Sequence, residues 1–468
     1  MKPNPIIGVM TLGDPREEVF ERAPEIWQPT MDRHRKLVES LKKWGNLSVI
    51  TTDEIVRSKA RALQCTTDLL SKGVECLLIQ IPIWTKPIFA VHIAKKIQRA
   101  GVPCIIFGDY ILSGIEAAHG SLEQLGVYHA FVWGKLTNES TKKEIVSFAK
   151  AASVVARLRD TTHGIFGGRP WGMYTTTADV AQWQNLFGVD IEHVDQIEIV
   201  REAEKVPIDR VKRHITWLKD HCGLIEIDGK VLTHEKLERQ VRSYLATKEI
   251  SIQEQFDFIG LKCEPELCDK YVTQCFTPTF MNDPYDAEGP KEPIVCACEV
   301  DLDGALTMQI LKLLTNEPVI FVDLIYLDED GVFACTNCGG LPTWYAKRSS
   351  DPSINLREVH LLPQAEGQAG GASTQFVCAP AETATLARLC RKAGKYRMFI
   401  IHGKFVEMPR EKLRETIWPW PHLYFKIDTD PLQFLKKYGA NHIHAVVGNY
   451  TSELVEICKM VGIESIVM

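Results

Sequence analysis

The sequence predicts an α/β protein with two doubly wound, Rossmann-like domains followed by a β-rich C-terminal domain. Three observations carry this. Strand and helix signals alternate from Pro5 to Phe107, a second alternating series begins near Arg159, and from about Gly331 the chain turns to Gly, Pro and short β-like runs. The expected divisions are 1–158, 159–330 and 331–468. A length of 468 residues fits this count at roughly 150 residues per domain.

In the first series, Pro5–Thr11 is a short apolar run that ends at Gly13-Asp14-Pro15. Glu17 to Trp44 has helical composition. Leu47–Thr51 reads as a strand, Ile55–Lys72 as a helix, Cys76–Ile83 as a strand, Pro87–Ala100 as a helix and Pro103–Phe107 as a fourth strand. Strands separated by crossover helices imply a parallel sheet, whose ligands sit at the C-terminal ends of the strands. Arg16, Trp84, Lys86 and Asp109 follow those ends. No GxGxxG follows the first strand, so a dinucleotide site is unsupported. The second series opens with the turn-rich stretch Leu158–Gly172, in which His163 reads as a loop histidine. Val194–Val200, Phe256–Leu261 and Pro293–Cys298 read as its strands. In the third region Val332–Cys335, Thr374–Cys378, Tyr396–Ile401 and His444–Val447 are β-like.

Composition narrows the function. A net charge of −6 argues against a general binder of nucleic-acid backbone. No apolar run is long enough to span a bilayer, and Met1-Lys2-Pro3-Asn4-Pro5 lacks the apolar stretch of a signal peptide. The 14 cysteines are scattered through apolar runs, as buried thiols in a reducing cytoplasm would be. Cys335-Thr336-Asn337-Cys338 is a lone CxxC without the further ligands a structural zinc needs.

Chemistry concentrates at the ends of two apolar runs. PIVCAC ends in Glu299, Asp301 and Asp303 ahead of the helical run Ala305–Leu314, and EPVIFV ends in Asp323, 24 residues after Glu299. If these are adjacent parallel strands, both acids share one lip of the sheet. Asp303, beside Gly304, reads as the helix cap. Two carboxylates in a cleft can hold Mn²⁺ or Mg²⁺, or move protons. A third element, Asn441-His442-Ile443-His444, puts two imidazoles on one face of a strand, where spacing does not choose between them.

The segments GPKEPIVCACEVDLDGALTM, EPVIFVD and NHIHAVVGNY together resemble the L-fucose isomerase family. The resemblance implies a metal-dependent aldose–ketose isomerase with Glu299 and Asp323 as acid–base pair. It implies Glu299, Asp323 and His442 as ligands of Mn²⁺, or of another divalent cation such as Mg²⁺ or Co²⁺. Arg16, Trp84, Asn441 and Trp418 match its substrate-contacting positions, with Trp418-Pro419-Trp420-Pro421 as a site loop. A trimer or hexamer is also implied, in which the first domain completes a neighbour's site. The expected partners are a small sugar and other copies of the chain, with no nucleic acid and no membrane. The other readings that these residues permit are a non-catalytic cytoplasmic sugar-binding protein and a metal-dependent lyase or hydrolase.

Overall fold

The computed structural model describes residues 4–468; Met1, Lys2 and Pro3, part of the N-terminal stretch read above, lie outside the described residues. The chain forms two compact units, Met1–Arg157 with Ser452–Gly462, and Leu158–Thr451 with Ile463–Met468.

The first unit is a five-stranded parallel sheet in the order Ser48–Val56, Ile6–Leu12, Cys76–Gln80, Cys104–Gly108, His129–Trp133. Its strands are apolar on both faces because helices cover both. Leu77 and Ile79 pack with Ala62, Phe89 and Ile93 on one side, while Cys76 and Leu78 pack with Leu37, Leu41 and Phe148 on the other. The second strand runs to Val56, beyond the expected Thr51, and the helix after it starts at Lys59, where the Ser58 hydroxyl accepts the Arg61 N–H.

The second unit combines a parallel sheet with a β-barrel. The parallel sheet has the order Val295–Cys298, Phe258–Leu261, Thr161–Phe166, Val189–Val194. His163 is not in a loop. It sits fully buried in the third of these strands, against Phe258 and Trp183. Val194–Val200 is not a strand either. The strand ends at Val194, and Gln196–Lys205 is a helix that buries Ile199 and Ala203, four residues apart.

The barrel strands follow the order Ala381–Lys392, His442–Val447, Ile320–Leu327, Val332–Thr336, His422–Ile427, Lys395–Phe405, and the last pairs with the first. Every one of these pairings is antiparallel, so closure leaves the six strands without a free edge. Glu464–Val467 adds to the Lys395–Phe405 strand in parallel.

This arrangement corrects the picture of two acids on adjacent parallel strands. Glu299 follows the edge strand of the parallel sheet, whereas Asp323 lies on a barrel strand. The run VIFV suits a parallel strand or a barrel strand equally, so the sequence could not distinguish them. Helix Leu302–Thr315 links the two and packs on both the parallel sheet and the barrel.

Candidate active site

Asp323 and His442 are opposite each other in antiparallel register, and Phe321 and His444 form the next facing pair but one. Ile443, Ala445 and Val322 on the alternate face join the main apolar core. The period of two therefore turns Asp323, His442 and His444 to the same side.

Glu299 reaches that side by a sharp turn. Glu299 and Val300 both adopt left-handed backbone, with φ of 57° and 51°. Such a conformation costs a non-glycine residue of order 1–3 kcal/mol. It is held by Val300 N–H donating to the Leu261 carbonyl (3.2 Å) and Asp301 N–H donating to the Cys298 carbonyl (3.1 Å). The turn ends where Asp301 caps helix Leu302–Thr315, accepting the Gly304 N–H at 2.9 Å. The cap is thus Asp301 and not Asp303. Asp303 lies in the first helical turn, buried, and binds Arg391 at 2.9 Å and the Tyr396 hydroxyl at 2.8 Å.

The three groups meet at one nitrogen. His442 Nε2 is 3.3 Å from Glu299 Oε2 and 3.2 Å from Asp323 Oδ1. One ligand atom from each of the three lies within 4.8 Å of the others. The opposite ring nitrogen, Nδ1, donates to Asp301 Oδ2 at 2.6 Å. Asp301 is in turn gripped by Arg388, whose Nη2 donates to Oδ1 at 2.9 Å. Gly304 permits this grip, since a Cβ there would stand 2.7 Å from both Arg388 Nη1 and Asp301 Oδ2. Asn441 Nδ2 lies 2.8 Å from His442 Nε2, and the Asn441 side-chain oxygen accepts from the Thr175 hydroxyl at 3.2 Å.

Burial alone would raise the Asp301 carboxyl. The Arg388 guanidinium and His442 outweigh it and hold Asp301 well below the ordinary carboxylate range. Burial would likewise depress His442, but Asp323, with Asp301 and Glu299, holds it well above the usual histidine value. His444 is the reverse case. Burial and then Arg388, whose Nη1 is 3.1 Å from its Nε2, hold it well below.

Cys298, the residue before Glu299, lines a small cavity together with Glu264, Gln364, Glu366 and Cys338. Burial, then the charge of Glu299, pushes Glu264 up to about 7.

The donor set fits a divalent cation. Two carboxylates and an imidazole converge, and the imidazole is oriented from behind by a carboxylate, as metal-binding histidines characteristically are. Arg388 and Asp301 hold the His442 imidazole in place. Neither was singled out for this from the sequence, although an arginine inside the apolar run ATLARLC is the available signal. Arg388 is 1% exposed, so Asp301→Asn should strand a buried cation. We expect a loss of about 3–5 kcal/mol, read from denaturant unfolding.

The other expected site residues divide between the units. Arg16 and Trp84 meet in the first unit, where the Arg16 guanidinium stacks over the Trp84 ring at 4.8 Å while its Nε donates to Asp14 at 2.9 Å. In the second unit Trp418 lies under the Arg414 guanidinium at 3.8 Å. Its neighbour Trp420 instead donates through Nε1 to Gln364, which lines the cavity.

An oriented histidine facing two carboxylates, at the meeting of a parallel sheet and a barrel, is an arrangement that can exchange protons and could hold a cation. Residues 4–160 match the first N-terminal domain of L-fucose isomerase and residues 335–468 match its C-terminal domain, together more than half of the chain. The chain belongs to the L-fucose isomerase family and is an aldose–ketose isomerase. Among similar proteins is a sulfoquinovose isomerase of Clostridium sp. (strain MSTE9), 24% identical over 369 residues that cover 76% of this chain and 75% of that one. An L-fucose isomerase of Streptococcus pneumoniae (strain 70585) is 23% identical over 438 residues, covering 76% and 74%. Among the described residues no helix is long and apolar enough to cross a membrane.

Proposed function

We propose that the chain interconverts an open-chain aldose and its ketose through a cis-enediol, at a single divalent site formed by Glu299, Asp323 and His442. The observation that carries this is the convergence of both carboxylates on His442 Nε2, with Nδ1 fixed by Asp301. A bound Mn²⁺-class cation supplies Lewis-acid polarisation of the sugar carbonyl. Glu299 and Asp323 act as the acid–base pair. One carboxylate removes the C2 proton and the other manages the hydroxyl protons as a proton returns to C1. Asn441 and Trp418 contact the sugar. His442 is kept in one orientation by the Asp301–Arg388 pair, so its Nε2 is presented without reorganisation.

The assembly we propose is a trimer or hexamer in which Arg16 and Trp84 complete a neighbouring subunit's site. A monomeric mass by sedimentation from a fully active preparation would overturn this. The 14 free cysteines support a reducing cytoplasm.

The reading is tested by chelation. Exhaustively chelated protein should lose turnover, and Mn²⁺ should restore it. Proton NMR of L-fucose, D-arabinose and sulfoquinovose in D₂O identifies the substrate by ketose formation, with deuterium at C1 of the ketose and at C2 of re-formed aldose. Retention of full activity in metal-free protein contradicts the metal assignment, and sugar binding without turnover favours a non-catalytic binder.

A further inference from the structure

We propose that the first unit carries a second metal site, formed by His119, Glu123 and His129 and suited to a zinc-class ion. The three residues lie along one connection. Helix Leu112–Gln124 carries His119 and Glu123 four residues apart, hence on one face, and His129 opens the strand His129–Trp133.

The ring orientations are informative. His129 Nδ1 is 2.8 Å from the Val127 carbonyl oxygen. A carbonyl only accepts, so Nδ1 of a neutral His129 carries the proton and Nε2 keeps its lone pair. The Nε2 lone pair faces His119 Nδ1 at 2.8 Å, with Glu123 Oε1 4.0 Å away. One ligand atom from each residue lies within 4.8 Å of the others.

In the ion-free protein His119 Nδ1–H donates to His129 Nε2. An ion would replace that proton, with His119 switching to its other tautomer. Ligand atoms around a tetrahedral zinc stand about 3.3 Å apart. The two nitrogens need to separate by about 0.5 Å, and Glu123 Oε1 to approach His129 Nε2 by about 0.7 Å. These are side-chain adjustments. The His129 side chain is 0% exposed and that of Glu123 is 64% exposed, so the site has an anchored floor and an open rim where water can complete four-coordination. Two imidazoles and one carboxylate favour zinc-class ions, whereas the two carboxylates and one imidazole of the candidate active site favour harder ones.

A comparable cluster, His214, Asp286 and Glu288, does not qualify. Lys248 Nζ is 2.7 Å from Asp286 and 2.9 Å from Glu288, and Arg210 Nε is 2.5 Å from Glu288, so its carboxylates are already neutralised. Among the described residues no lysine or arginine forms an ion pair with Glu123.

The test is Zn²⁺ binding to the full chain by equilibrium dialysis, with Glu299→Gln and Asp323→Asn introduced to silence the candidate active site. This variant should retain one ion per chain at micromolar free Zn²⁺. Adding His119→Gln, or separately Glu123→Gln, should weaken that binding at least about tenfold. Both residues are at least partly exposed, so the fold should tolerate either change. In the wild-type background His119→Gln should remove one zinc equivalent, which covers the case of a silenced variant that fails to fold. No ion retained, binding only at millimolar Zn²⁺, or binding unchanged by His119→Gln would each overturn the site.

Discussion

Glu299→Gln and Asp323→Asn are each expected to lower turnover by at least about 10²-fold, the lower end of what a positioned acid or base contributes. Each substitution keeps the shape of the side chain and removes its charge and basicity. The carboxylates stand 3.3 Å and 3.2 Å from the same histidine nitrogen, so losing either also removes one ligand of the cation proposed there. The loss should appear in kcat at saturating Mn²⁺ and, separately, in weaker Mn²⁺ binding. The backbone is not expected to suffer at Glu299. Its left-handed turn is fixed by main-chain hydrogen bonds from Val300 and Asp301 rather than by the carboxylate. Unfolding curves of Glu299→Gln should therefore overlay those of the parent. Undiminished turnover in either variant would remove that residue from the acid–base pair.

An apolar run that meets an acid is the sequence signal at both carboxylates, but only Glu299 follows a strand end, whereas Asp323 lies in the middle of strand Ile320–Leu327. That signal is local, and it picked out Glu299 and Asp323 without any knowledge of which sheet each strand joins. Sheet membership was not legible, because VIFVD can be buried on two faces by helices or form one stave of a barrel. What decides is the pairing of Asp323 with His442, more than a hundred residues later. The cap was misplaced for a related reason. Asp301 and Asp303 both precede or begin the helix, and proximity to Gly304 favoured Asp303. The chain reaches helical geometry two residues earlier than that reading requires, so Asp301 takes the N-terminal N–H while Asp303 is buried against Arg391. The Asp301–Arg388 pair joins residues 87 positions apart and has no sequence spacing to announce it.

His442→Ala is expected to lose the metal and nearly all activity, and His444→Ala to keep the metal with about a tenfold loss, as for groups that support a ligand from behind. The two histidines share a strand face, and the register separates them. His442 faces Asp323, whereas His444 faces Phe321. His442 Nε2 is within 3.3 Å of both candidate ligand acids, and its other nitrogen is oriented by Asp301. His444 Nε2 instead lies 3.1 Å from Arg388 Nη1, and the charge of that guanidinium, after burial, keeps its ring neutral. A cation at His444 would have to stand against Arg388. His444 packs beside the arginine that grips Asp301, one step removed from the proposed cation site. Metal content per chain, measured alongside turnover, separates the two roles. If His444→Ala lost the metal while His442→Ala kept it, the ligand role would pass to His444. If neither changed metal content or rate, this barrel strand would not contribute to the site, and Glu299 and Asp323 would need a different third ligand.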